Sequence, residues 1–171
     1  MVIKRTSRFE VEGEDARLIL PDGTVTLLSA SDIPAVSGFA WYLCKATGRV
    51  MAHTKGSART RKGVYLHRLI LGPECEGRHV DHVNRDPLDN RRTNLRSCTA
   101  HENNMNRGKR KTNTSGFLGV DSRPNGKFRA RVGINGKRVC IGDFDTAEEA
   151  AAARDLVASR LHGEFAALNH A

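Results

Sequence analysis

Arg78-His-Val-Asp-His-Val-Asn-Arg-Asp-Pro-Leu-Asp-Asn-Arg-Arg-Thr-Asn-Leu-Arg-Ser-Cys-Thr-Ala-His-Glu-Asn-Asn-Met-Asn106 decides how this chain folds. Arg78 to Val83 fits a strand, Asp86-Pro87 to Asp89-Asn90 fits a loop, and Asn94-Leu-Arg-Ser fits a second strand. Thr99, with Glu102 three residues later, is a capping box that starts a helix and puts Asn103 and Asn104 at the end of its first turn. Two strands and a helix therefore carry Asp81, His82, Asn94 and Asn103. Successive strand residues point to opposite faces, so Asp81 and His82 cannot both face one way in a flat strand. The strand must end or bend there, which Asn84-Arg-Asp-Pro permits.

These four residue types suit phosphodiester hydrolysis, which needs an activated water, in-line attack and a cation to offset charge on the phosphorane and the leaving oxygen. A neutral histidine can take the proton near physiological pH. A carboxylate and an amide oxygen are hard ligands for Mg²⁺, which keeps several waters and completes its shell with phosphate oxygens.

Upstream, Ala16-Arg-Leu-Ile-Leu and Thr24-Val-Thr-Leu-Leu flank Pro21-Asp22-Gly23 and read as a hairpin. Ser31-Asp-Ile-Pro-Ala-Val can start a short helix, and Phe39-Ala-Trp-Tyr-Leu-Cys and Arg49-Val-Met-Ala-His read as strands. Trp41 and Tyr42 are read as core or strand-face packing. Val64-Tyr-Leu-His-Arg-Leu-Ile-Leu71 is a strand or a buried short helix ended by Gly72-Pro73.

Downstream, Arg107-Gly-Lys-Arg-Lys-Thr-Asn-Thr-Ser115 is a basic linker. Past it, turn signals at Pro124-Asn125-Gly126 and Asn135-Gly136 separate three short strands, and Asp145-Thr146-Ala-Glu-Glu149 caps an alanine-rich helix stopped by Gly163. A three-stranded sheet on one helix is expected. Lys127, Arg129 and Arg131 fall on one face of its middle strand, and Phe128, Ala130 and Val132 on the other, toward the helix.

At 171 residues the chain allows one ordinary domain or two small ones, and with 39% hydrophobic but 5% aromatic residues it builds modest cores. It has no apolar run long enough for a membrane span and no apolar segment behind its N-terminal charges, so an intracellular, cytoplasmic protein is expected. Cys44, Cys75, Cys98 and Cys140 are far apart without a C-x-x-C pair, arguing against a disulfide scaffold and a structural zinc. The net charge of +9 is uneven: residues 55–138 hold 20 basic and 7 acidic side chains, residues 1–54 hold 6 of each, and residues 139–171 hold 2 and 6. The middle of the chain points to nucleic acid.

Val80-Asp81-His82, then Asp89-Asn90-Arg-Arg-Thr-Asn94-Leu95-Arg96, then Glu102-Asn103 resembles the HNH nucleases in the form found in phage and intron-encoded homing endonucleases. That resemblance implies a ββα-metal finger with His82 as general base, Asn94 holding the His82 loop and ring, and Asp81 with Asn103 binding one Mg²⁺ or Mn²⁺. The last histidine of the family's usual pattern is Asn103 here. Leu66-His67-Arg68 matches the H-R pair that precedes the finger; His67 and Arg68 are candidates for a phosphate contact, with a packed structural histidine the alternative.

Ser115-Gly-Phe-Leu-Gly-Val, Arg123-Pro-Asn-Gly-Lys-Phe, Asn135-Gly-Lys-Arg-Val and Ile141-Gly-Asp-Phe-Asp-Thr-Ala-Glu-Glu resemble an AP2/ERF DNA-binding domain, in which the sheet enters the major groove. Arg123, Lys127 and Arg138 match DNA-contact positions of that family. Arg129 and Arg131 are additional cations on the same face. Leu118, Asp121, Asn125, Gly133 and Cys140 replace Arg or Trp of plant members, and Arg131 replaces Glu, so the plant target sequence does not transfer.

The expectation is an α+β chain with a strand-rich region at 1–62, a nuclease finger at 63–106, a linker at 107–115 and an AP2-like module at 116–171. The function expected is metal-dependent cleavage of double-stranded DNA, from a phage or mobile element. The rival is a non-catalytic DNA-binding protein that keeps the finger as scaffold, and RNA is a third option as substrate.

Overall fold

Short strands and helices joined by turns assemble into small antiparallel sheets in a computed structural model that describes residues 7–57, 59–109, 112–134 and 136–170. The chain forms two compact units, Met1–Thr99 and Ala100–Ala171. Arg110 and Lys111 of the expected linker and Asn135 of the expected turn lie outside the described residues.

In the first unit, β1 (Arg8–Glu12), β2 (Asp15–Ile19) and β3 (Val25–Ser29) form one sheet. β2 and β3 are the expected hairpin. Its turn brings Gly23 N–H to the Leu20 carbonyl at 2.9 Å with Gly23 at φ +90°, a conformation that favours glycine. Val11 is 62% exposed and β1 carries three charges, so its sequence gives little strand signal; pairing Phe9 with Leu18 orders it.

α1 (Ile33–Val36) follows, then a second sheet of β4 (Tyr42–Cys44), β5 (Arg49–His53) and β6 (Gly63–Tyr65). Trp41 precedes β4, 2% exposed, its Nε1–H donating to the Val36 carbonyl at 2.8 Å. Tyr42 lies on the strand face, stacked on His53. Leu66–Leu71 is a helix, α2, buried through Leu66, His67, Ile70 and Leu71.

β7 (His79–His82) pairs antiparallel with β8 (Leu95–Cys98), with Asp81 opposite Arg96 and His82 opposite Leu95. Val80 and Leu95 of this pair belong to the same buried cluster as Leu18, Leu28, Trp41 and Leu66. The strand-rich N-terminal residues and the β7–β8 pair thus share one core.

In the second unit, α3 (Ala100–Met105) is followed by β9 (Val120–Ser122), β10 (Phe128–Ile134) and β11 (Lys137–Phe144), with β10 central, and by α4 (Ala147–His162). Thr146 Oγ1 accepts from Glu149 N–H and Glu149 Oε2 from Thr146 N–H, the reciprocal cap that the sequence predicts. Ala150 and Ala151 of α4 pack on Val120 and Ala130, so small side chains let helix and sheet approach closely. Gly119 is required at φ +72°: a Cβ there would stand 2.6 Å from the Arg131 carbonyl oxygen.

Candidate active site

β7 ends at His82, where Asp81 and His82 diverge as strand alternation requires. Asp81 faces across to Arg96, whose Nε and Nη2 both donate to Asp81 Oδ2, at 2.9 and 2.7 Å. His82 turns the other way, 3.3 Å from Asn90 Oδ1 and 5.4 Å, centroid to centroid, from the edge-on His67 ring. The bend forms in the loop: Arg85 N–H donates to the His82 carbonyl at 2.9 Å and Arg85 sits at φ +68°.

Asn94 closes that loop. Its Oδ1 accepts from Asn84 N–H at 2.9 Å, and its Nδ2 donates to Asn84 Oδ1 at 2.9 Å and to the Asp89 carbonyl at 2.7 Å. A second clasp lies beneath it. Asp89, 3% exposed, accepts from Asn84 Nδ2 and from Arg91 Nε and Nη2, and the Arg91 guanidinium beside it holds its carboxyl below the usual range. Arg91 also reaches Asp15 at 2.9 Å, and Arg92 reaches Asp32 at 2.7 Å, so two acids of the N-terminal region anchor the loop's far end.

The electrostatics favour neutral imidazoles. Burial pushes the His82 pKa down, assisted by Arg49, against the raising effect of Asn90 and of Asp81 and Asp86. Burial, His82, Arg49 and Arg68 hold His67 down to about 3. His67 can thus donate a hydrogen bond but carries no charge at neutral pH. Arg68 spends Nη1 on the Arg78 carbonyl and Nη2 on the Cys75 carbonyl, both at 2.9 Å.

Asp81, His82 and Asn94 all lie in the first unit, Asp81 and His82 turned to opposite faces of β7 and Asn94 on the loop that follows, while Asn103 stands half-buried on α3 in the second. Among the described residues, no cluster of three or more His, Cys, Asp or Glu side chains is placed to hold a metal ion. Arg96, Asn90 and Arg49 were not singled out by the sequence. Arg96 had a signal, since pairing the two strands around the 83–94 loop sets it opposite Asp81. Asn90 lies in the stretch that carries the resemblance, but its contact with His82, like the influence of Arg49, arises only from tertiary packing.

On the second unit's sheet, the expected outward cations pair with carboxylates. Arg129 grips Asp143 through Nε and Nη2, both at 2.6 Å, Arg131 reaches Asp121 at 2.9 Å, and Lys127 reaches Asp145 at 2.7 Å. Arg123 and Arg138 are exposed.

A family model described as HNH endonuclease matches residues 64–105. The chain is 34% identical over 152 residues, 86% of its own length and 75% of the relative's, to "Uncharacterized HNH endonuclease L560" of Acanthamoeba polyphaga mimivirus. It is 31% identical over 107 residues, 62% of its length and 88% of the relative's, to "Protein 3.8" of Escherichia phage T7. A stretch of 58 residues, a third of this chain and 23% of the relative, is 48% identical to "Ethylene-responsive transcription factor ERF084" of Arabidopsis thaliana.

Proposed function

The chain belongs to the HNH endonuclease family, and on that premise we propose that it is a metal-dependent endonuclease that hydrolyses phosphodiester bonds of double-stranded DNA. The observation that carries this reading is the end of β7, where a buried, neutral His82 sits beside Asp81 while Asn94 ties down the loop that follows. An imidazole kept neutral can accept the proton of an attacking water at physiological pH, the task of a general base. Asn94 is a positioning residue: its three hydrogen bonds fix where β7 stops and hence where the His82 ring points.

Asp81 supplies a carboxylate oxygen, a hard donor suited to Mg²⁺ or Mn²⁺ with water and phosphate oxygens filling the remaining positions, and the amide oxygen of Asn103, on the second unit, is a candidate donor of the same hard class. When bound, one such ion would offset the charge that develops on the phosphorane and the leaving oxygen.

The second unit's sheet is the DNA-positioning surface in this reading, supported by the likeness to the plant transcription factor and by five cations, Arg123, Lys127, Arg129, Arg131 and Arg138. The viral and phage relatives support a phage or mobile-element source.

The test is incubation of the full chain with supercoiled plasmid and, separately, with a structured RNA, in Mg²⁺, in Mn²⁺ and in excess EDTA. Nicking or linearisation of plasmid only with metal is expected. Cleavage of RNA alone, or of plasmid equally well in EDTA, would contradict the proposal.

A further inference from the structure

We infer that Thr26, in the N-terminal sheet, is a positioning residue for the nuclease reaction: through Asn90 it sets which nitrogen of His82 carries the hydrogen. The inference rests on the nuclease reading of His82 for its consequence, but its geometry stands independently.

The direction of each hydrogen bond is forced by the one before it. Thr26 Oγ1 lies 2.6 Å from the Leu88 carbonyl oxygen, which can only accept, so the hydroxyl hydrogen is committed there. Thr26 Oγ1 is then an acceptor toward the Asn90 side chain, 2.8 Å away, and must face the amide nitrogen. The Pro87 carbonyl, 3.3 Å from the same nitrogen, makes the same demand. Asn90 therefore turns its Oδ1 to His82 Nε2 at 3.3 Å, and an amide oxygen can only accept. His82 Nε2 bears the hydrogen, and a neutral ring with one N–H keeps its basic lone pair on Nδ1.

Burial makes the relay decisive. Thr26 is 0%, Asn90 1% and His82 6% exposed, so water does not readily replace a lost partner. The backbones are locked too: Leu27 N–H donates to Leu88 and Asn90 N–H to Leu27, both at 2.8 Å, in a parallel bridge between β3 and the loop. Thr26 occupies an inward position of β3, beside buried Leu28 on the same face, where an apolar side chain would avoid the cost of desolvating a hydroxyl. The Thr26 hydroxyl has both its roles used within this chain of bonds, which gives the residues before 63 a part in the chemistry.

The experiment is a long-range ¹H–¹⁵N correlation spectrum of the full chain with ¹⁵N-labelled histidine at neutral pH, metal-free and with Mg²⁺, the His82 signals assigned by their loss in His82→Gln. The Nε2–H tautomer is expected for the parent protein. Thr26→Val, equal in shape but unable to accept, should add an Nδ1–H population and slow plasmid nicking about fivefold, the scale of one buried hydrogen bond; Thr26→Ser should restore both. An Nδ1–H tautomer in the parent protein overturns the inference whatever the variants do. So does a folded Thr26→Val chain whose His82 spectrum is unchanged. If Thr26→Val does not fold, Thr26→Ala takes its place and the parent spectrum still decides the tautomer. Cleavage with His82 as Nδ1–H would end this inference alone, whereas an Nε2–H ring in a chain that cleaves nothing would support the relay and end the nuclease reading.

Discussion

Arg96 holds Asp81 across the β7–β8 pair, two of its nitrogens donating to one carboxylate oxygen, with side-chain exposures of only 13% and 7%. Removing one partner of such a buried pair costs about 3–5 kcal/mol. Arg96→Met should therefore unfold at lower urea when metal is absent. A divalent ion on Asp81 would supply the missing positive charge, so Mg²⁺ should raise the urea midpoint of Arg96→Met by more than it raises that of the parent. Equal shifts, or none, would show that Asp81 is not a metal ligand.

His67 makes stability depend on pH. Its pKa is about 3 when folded against an ordinary 6.5, so the unfolded chain binds the extra proton between those values. Stability from this group is complete above pH 6.5 and falls as pH drops toward 3, with about 2 kcal/mol lost between pH 7.5 and 5. His67→Phe should lose about that much less over the same interval in urea melts. Parallel profiles for the two proteins would mean that the ring is not held neutral.

The sequence made the β7–loop–β8 segment legible because Asp81, His82, Asn94 and the Thr99–Glu102 spacing are local signals, and α4 because its cap lies within four residues. The second hairpin around Pro124-Asn125-Gly126 was legible through turn chemistry. β1 was not, since Arg8, Glu10 and Glu12 look like a polar tail until Leu18 is placed opposite Phe9. Nor could the charge count distinguish cations for a ligand from cations for the fold: Arg91, Arg92 and Arg96 are each spent on Asp89 and Asp15, Asp32 and Asp81. The carboxylates that pair with Arg129 and Arg131 were in the sequence, but their pairing needed the strand register, which sets both Asp143 and Asp121 opposite Arg129 and leaves Asp121 within reach of Arg131.

That pairing predicts unequal roles for the sheet's cations. Arg123 and Arg138 are exposed, so replacing both by Ala should flatten the slope of log K against log salt for DNA by about 2. Replacing Arg129 and Arg131 should change it less, because each already has an acidic partner to give up. Asp121→Asn with Asp143→Asn should strengthen DNA binding and steepen the slope. Fluorescence anisotropy across a salt series measures all three, and slopes indistinguishable from the parent's would move the DNA-binding surface elsewhere.

The most direct test of the nuclease account is the single-turnover rate of plasmid cleavage by His82→Ala beside the parent protein, at saturating Mg²⁺ and equal DNA occupancy. Loss of a general base predicts a rate lower by about 10² or more, with DNA affinity and circular dichroism unchanged. A folded His82→Ala chain that cleaves at the parental rate would contradict the account.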